Sequence, residues 1–138
     1  SLLIDAACMD LVRRPEAFDV IVAPNLFGDI VTDIGAIITG SMGLASSANI
    51  NPDTSVPSMF EPTHGSAPDI AGQGIANPMA QILTAAMMLR HLGEYKAATD
   101  VDAAVLKLLE QGEILTPDLG GSSTTESVGD AIAQLVSG

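Results

Sequence analysis

Asp29 and Asp33 lie four residues apart in NLFGDIVTDIGAIITG, residues 25–40, a stretch otherwise dominated by apolar side chains. At helical spacing they share a face, where like charges at i and i+4 repel by about 0.2–0.5 kcal/mol. Phe27, Ile30, Val31, Ile34, Ile37 and Ile38 form the apolar stripe of that helix, while Asp29, Thr32, Asp33 and Ala36 form a small, acidic one. A cation would fit the acidic stripe. The alternative is a structural pair, one acid capping the helix start and the other solvated. Asp5 adds a third acid on the stripe Leu2, Asp5, Met9, Val12, where packing alone would ask for an apolar residue. Its own structural alternative is an acid favoured by the positive end of a helix. Three acids in apolar surroundings, with no Cys/His cluster in the chain, suit Mg²⁺ or Mn²⁺ better than Zn²⁺.

A second candidate is FEPTHGSAPDIAGQGIANP, Phe60 to Pro78, where three glycines and three prolines set an irregular backbone. It is neither a Walker loop nor a G-x-G-x-x-G finger. Gly65, Ser66 and Ala67 carry so little side chain that a flat or phosphorylated ligand could approach the main chain. An acid such as Asp69 could accept from ribose hydroxyls and would disfavour a 2′-phosphate, the logic that separates NAD from NADP. On pattern alone, the simpler reading has His64 and Asp69 stabilising turns, Asp69 as a cap after Pro68.

These residues need elements to hold them. Leu2 to Arg13 reads as a helix stopped by basic residues and Pro15, and FDVIVAP, Phe18 to Pro24, as a buried β-branched strand feeding the Asp29/Asp33 helix. From Ser41 to Gln73 the composition shifts to Gly, Ser, Asn and Pro, which predicts mostly loop with a short strand at Ser58 to Glu61. Asn77 as N-cap and Pro78 at N1 predict a helix running to about Gly93. A further helix covers Tyr95 to Gln111, with Val101, Ala104, Val105, Leu108 and Leu109 on one face, and a last one starts from a Ser123/Glu126 capping box and ends near Val136. Two strands among five helices make an α/β piece whose sheet partners are partly missing. The abrupt start, SLLIDAACMDLV without an initiator Met, also points to a piece of a longer protein.

Composition narrows the function classes. A 47% hydrophobic content places the chain among globular sequences, and a net charge of −12 repels a phosphate backbone, so nucleic acid is not an expected partner. No apolar run approaches the ~20 residues that span a bilayer, so no membrane partner is expected. The single Cys8, in an apolar run, reads as a buried, reduced thiol rather than a reactive one, which suits a reducing cytoplasm.

In order along the chain, IDAACMDLV, NLFGDIVTDIGAIITGSMGL, FEPTHGSAPDIAGQGIANP and DLGGSSTTES resemble the C-terminal part of the β-decarboxylating dehydrogenases, a family that includes 3-isopropylmalate, isocitrate, homoisocitrate and tartrate/D-malate dehydrogenases. The resemblance covers nearly the whole chain, and the H-G-S-A-P-D-I-A-G run preceded by E-P is its most specific part. It implies a helix-rich C-terminal portion of the isopropylmalate dehydrogenase-like fold, with short strands belonging to a larger sheet. Residues 1–40 would be part of the small, dimer-forming domain and 41–138 part of the large cofactor-binding domain, the N-terminal half of the enzyme being absent.

Carried over by position, the resemblance makes Asp29 and Asp33 metal ligands on one subunit and Asp5 an aspartate that reaches the metal site of a partner, in a homodimer with a shared active site. His64, Gly65, Ser66, Ala67, Asp69, Ile70 and Asn77 match the loop around the adenosine end of the cofactor, and Glu61 lies at its entrance. Asp69 and Ile70, where NADP users tend to carry Lys and Tyr, imply NAD; Gln73 stands where many members have Lys. The implied chemistry is hydride transfer from C2 of a 2-hydroxy diacid to NAD⁺, metal polarisation of the resulting ketone, loss of the β-carboxylate as CO₂ and reprotonation of the enolate.

The family's substrate arginines and its Lys/Tyr proton-transfer pair lie upstream of the matched region, so no catalytic residue beyond the metal ligands is assigned here and the chain alone is expected to be inactive. The segment ASSANINPDTSVPSMFEP leans towards the tartrate/D-malate branch, while GQGIANP fits isopropylmalate enzymes equally well. The alternative function is a non-catalytic piece or subunit serving packing and dimerisation only.

Overall fold

The computed structural model describes residues 1–137 and contains five α-helices and one two-stranded sheet among them. Helix α1 spans Ile4–Arg13, α2 Asn25–Ile38, α3 Met79–His91, α4 Tyr95–Gln111 and α5 Thr125–Ser137. Strands β1, Ser46–Asn49, and β2, Met59–Pro62, pair antiparallel, with Ser47 opposite Glu61 and Ala48 opposite Phe60. The chain divides into two units, Ser1–Met42 and Gly43–Gly138.

In the first unit α1 packs on α2, and of its hydrophobic residues only Ala36 is buried. The expected strand over Phe18–Pro24 is not formed. Phe18 has an extended backbone, but the run pairs with no strand among the described residues, and Val20 and Val22 are 82% and 93% exposed. A β-branched run satisfies its amides and carbonyls as a strand only beside another strand.

The second unit is built around Met79 of α3, Ala104, Val105 and Leu108 of α4, and Val128 and Ile132 of α5, all buried. These positions recur at helical spacing, so three amphipathic faces close on one core. Helix α3 also packs against both strands. Two sequence expectations shift. β1 lies in a segment expected to be loop, because SSAN carries small polar side chains and no period-2 apolar signal. Helix α5 is capped by Thr124, whose Oγ1 accepts from the Ser127 amide at 3.1 Å, rather than by Ser123. Ser123 instead donates its amide to the Leu115 carbonyl at 2.8 Å, which turns it away from the helix start.

Candidate functional site

Asp29 and Asp33 occupy successive turns of α2. The helix begins at Asn25, with Pro24 in the N-cap position and no side-chain cap, so Asp29 lies in the second turn and is not a capping residue. Both carboxylates are exposed, and neither enters an ion pair or side-chain hydrogen bond among the described residues. Thr32, between them, donates its hydroxyl to the Gly28 carbonyl at 2.8 Å, a local bond that leaves the carboxylates alone. Two unspent carboxylates on one helix face are an all-oxygen donor set, which fits a hard divalent cation.

Asp5 sits in the first turn of α1, exposed, and its Oδ1 accepts from the Ala6 amide at 2.8 Å. The structural alternative for this residue is therefore realised: it satisfies an amide that has no intrahelical partner. One chain does not gather the three acids. Among the described residues no group of three His, Cys, Asp or Glu side chains is placed to hold a metal ion.

The cofactor-loop candidates follow β2. Glu61, on β2, is exposed and faces no basic residue in the register, its partner being Ser47. His64 is half-buried, with Nδ1 3.0 Å from the Gly65 carbonyl; since a carbonyl only accepts, that nitrogen is the donor. A Cβ on Gly65 would meet nothing within 4 Å, so the main chain here is open to close approach. Ala67 adopts the left-handed region at φ 44°, ψ 61°, and caps the short 3-10 turn Pro68–Ile70. A non-glycine residue held there costs about 1–3 kcal/mol and marks an over-determined segment.

Asp69 is exposed in that turn, and its carboxylate has no hydrogen bond among the described residues; only its carbonyl is used, accepting from Gln73 Nε2 at 2.8 Å. Ser66 is exposed and Ile70 half-buried. The open backbone and free acid together fit a nucleotide with unsubstituted ribose hydroxyls.

Asn77 closes the loop with both ends of its amide engaged. Oδ1 accepts from the amide of Met79, the first residue of α3, at 2.9 Å, and Nδ2 donates to Asp118 at 2.9 Å; the helix starts one residue later than the sequence predicts, with Pro78 rather than Asn77 at the N-cap position. Asp118 also accepts from the Thr116 hydroxyl at 2.5 Å. Any ligand contact by Asn77 is thus left to its main chain, its second Nδ2 hydrogen and the second lone pair of Oδ1. Sequence reasoning missed Gln73, Asp118 and Thr125 as supports of this loop. Thr125 donates its amide to Gly74 and its hydroxyl to Ala76, at 2.8 and 2.6 Å. The DLG turn and the TTES helix start were visible signals, but their partners lie far away in sequence.

All of these residues fall within residues 1–132, which match the model of the isocitrate/isopropylmalate dehydrogenase family. The chain belongs to this family. It is 58% identical over 132 residues to a probable tartrate dehydrogenase/decarboxylase of Bacillus subtilis, covering 94% of this chain and 36% of that protein. It is 53% identical over 135 residues to a 3-isopropylmalate dehydrogenase of Thermobifida fusca, covering 98% and 37% respectively. The crystal structure of isocitrate dehydrogenase from Methylococcus capsulatus matches with a TM-score of 0.91 at 45% identity, over 98% of this chain and 40% of that one. The fold is accordingly a helix-rich α/β portion of the isocitrate/isopropylmalate dehydrogenase fold. The chain spans little more than a third of the length of the curated relatives it matches.

Proposed function

We propose that the full-length protein carrying this chain catalyses the NAD-dependent, divalent-metal-dependent oxidative decarboxylation of a 2-hydroxy diacid of the 3-isopropylmalate or D-malate/tartrate class, in the cytoplasm. The observation that carries the reading is the coexistence, in one family member, of an unspent acid pair on α2 and an open loop whose only free carboxylate is Asp69. A bound Mg²⁺ or Mn²⁺ would supply Lewis acidity at the substrate's hydroxyl and carboxylate oxygens.

In this reading Asp29 and Asp33 hold the cation, and their mutual repulsion is offset by it. Asp5 completes the same centre from a second subunit, which makes the active unit a homodimer. The loop from His64 to Asn77 binds the adenosine end of NAD⁺: the main chain at Gly65 to Ala67 admits the flat ring, and Asp69 accepts from the ribose hydroxyls and repels a 2′-phosphate. Glu61 stands at the loop entrance towards the nicotinamide.

The test is cofactor preference in the full-length protein, followed as reduced nicotinamide with D-malate, tartrate or 3-isopropylmalate and Mn²⁺. Turnover with NAD⁺ should exceed that with NADP⁺ by at least about tenfold, about 1.4 kcal/mol, and Asp69→Lys with Ile70→Tyr should narrow the ratio. Equal use of both cofactors by the unmutated enzyme would overturn the assignment of Asp69.

A further inference from the structure

We propose that Thr125, the first residue of α5, is a positioning residue that sets the shape of the downstream limb of the His64–Asn77 loop for cofactor binding. The inference rests on the assignment of that loop to NAD⁺.

Its basis is a pair of hydrogen bonds from one residue to two carbonyls far upstream in sequence, the nearer of them 49 positions away. The Thr125 hydroxyl donates to the Ala76 carbonyl at 2.6 Å, and the Thr125 amide donates to the Gly74 carbonyl at 2.8 Å. The first amides of any helix lack intrahelical acceptors, so the amide bond to Gly74 takes nothing from α5. Thr124 performs the capping, through Oγ1 to the Ser127 amide, which leaves Thr125 free to face the loop. The two accepting carbonyls flank Ile75, and Gly74 is held at φ 68°, a conformation that only glycine adopts without strain. Val128 and Ile132, both buried in the core, fix α5 itself. Thr125 therefore references the loop to the core of the second unit.

Asn77 ends this limb with its own bonds to Asp118 and the Met79 amide, Thr125 holds the two carbonyls just before it, and the remaining anchors act elsewhere. Thr63 donates its amide to the Ala45 carbonyl at 3.0 Å at the upstream end, and Gln73 bonds only within the loop. Between Gly65 and Asp69 the chain is exposed and contributes little packing. A loop already ordered before the ligand arrives loses less conformational freedom on binding, so the donors on Thr125 act on cofactor affinity and not on the chemical step.

The test uses the full-length protein with three replacements. Thr125→Val removes the hydroxyl with little change of shape. Thr125→Ser restores it. Thr125→Pro removes both donors at a helix position that tolerates proline. The expected KM for NAD⁺ rises about fivefold in Thr125→Val, the loss of one neutral hydrogen bond. It rises further in Thr125→Pro and returns near the unmutated value in Thr125→Ser, with kcat unchanged within about twofold. Amide exchange across Ser66–Ile75 should quicken in the valine variant and not in the serine one.

An unchanged KM in Thr125→Val overturns the proposal, including when the melting temperature falls, because that pattern marks a merely structural hydrogen bond. If Asp69→Lys with Ile70→Tyr leaves cofactor preference untouched while Thr125→Val still quickens exchange, the loop assignment has failed, and the positioning role for NAD⁺ fails with it. If the Asp69 pair responds and Thr125→Val does not, the loop assignment stands and this proposal alone is overturned.

Discussion

At Asp29 and Asp33 the chain keeps two exposed carboxylates on one helix face without a basic partner, an arrangement that favours a cation over bare solvent. A ligand bound only by the folded state stabilises it by mass action, by about 2.7 kcal/mol at a hundredfold excess over Kd. Mn²⁺ should therefore raise the melting temperature of the full-length protein, and Asp29→Asn should remove most of that rise; an identical metal response in the variant would show that the cation binds elsewhere. The acids were legible in the sequence because a charge on an apolar helix stands out. Asp5 was legible as an anomaly, but its bond to the Ala6 amide depends on where α1 begins, which spacing alone does not fix. Thr125 was invisible for a different reason: its chemistry is ordinary, and only the fold brings Gly74 and Ala76 to it.

Elements show the same division between local and distant causes. All five helices were readable from apolar spacing and stop signals. The sheet was readable only in part: the strand expected at Ser58–Glu61 forms as β2, but Phe18–Pro24 has strand-forming residues and no pairing partner among the described residues, while β1 has a partner and no strand-like composition. The joint between the start of α3 and the turn Pro117–Leu119 depends on Gly43. A Cβ there would stand 2.6 Å from Asn77 Cβ and 2.8 Å from an Asp118 carboxylate oxygen. Gly43→Ala should destabilise the second unit by about 1–3 kcal/mol, read as a lower urea midpoint at unchanged slope. A midpoint equal to that of the unmutated protein would mean that Asn77 and Asp118 shift without cost. In the segment joining the strands, hydrogen bonds from Ser55, through its side chain and its amide, and then from Asn51 hold the Asp53 carboxyl below its ordinary value of 3.8. A carboxyl depressed in the folded state adds stability that is present above the unfolded value and lost as pH falls through the folded one. The protection of the amides over Asn51–Ser58, taken relative to their intrinsic exchange rate at each pH, should therefore fall below about pH 4. Asp53→Ala should abolish that added acid sensitivity, and a variant as acid-sensitive as the parent would exclude Asp53 as its source.

For the molecule as a whole, charge sets the limit on what these residues can do alone. The chain carries a net charge of −12, and of its five basic residues Arg14, Arg90 and Lys96 are already paired with Asp10, Asp102 and Asp100. A doubly anionic substrate placed beside Asp29 and Asp33 would add two more negative charges, and one divalent cation cannot neutralise all four in a dry site. The missing positive charge has to come from outside these residues, as the share of the relatives' length covered, 36% and 37%, allows. Val20 and Val22 also present apolar surface to solvent at 82% and 93% exposure, which favours self-association. We therefore expect the purified 138-residue chain to form no NADH from D-malate, tartrate or 3-isopropylmalate with NAD⁺ and Mn²⁺, while the full-length protein does so under the same conditions, and to elute as more than a monomer in size-exclusion chromatography. NADH formation by the chain alone would mean that Arg13, Lys107 or a rearranged ion pair supplies the charge. The division of labour inferred here, with metal and adenosine sites on this chain and substrate recognition elsewhere, would then be wrong.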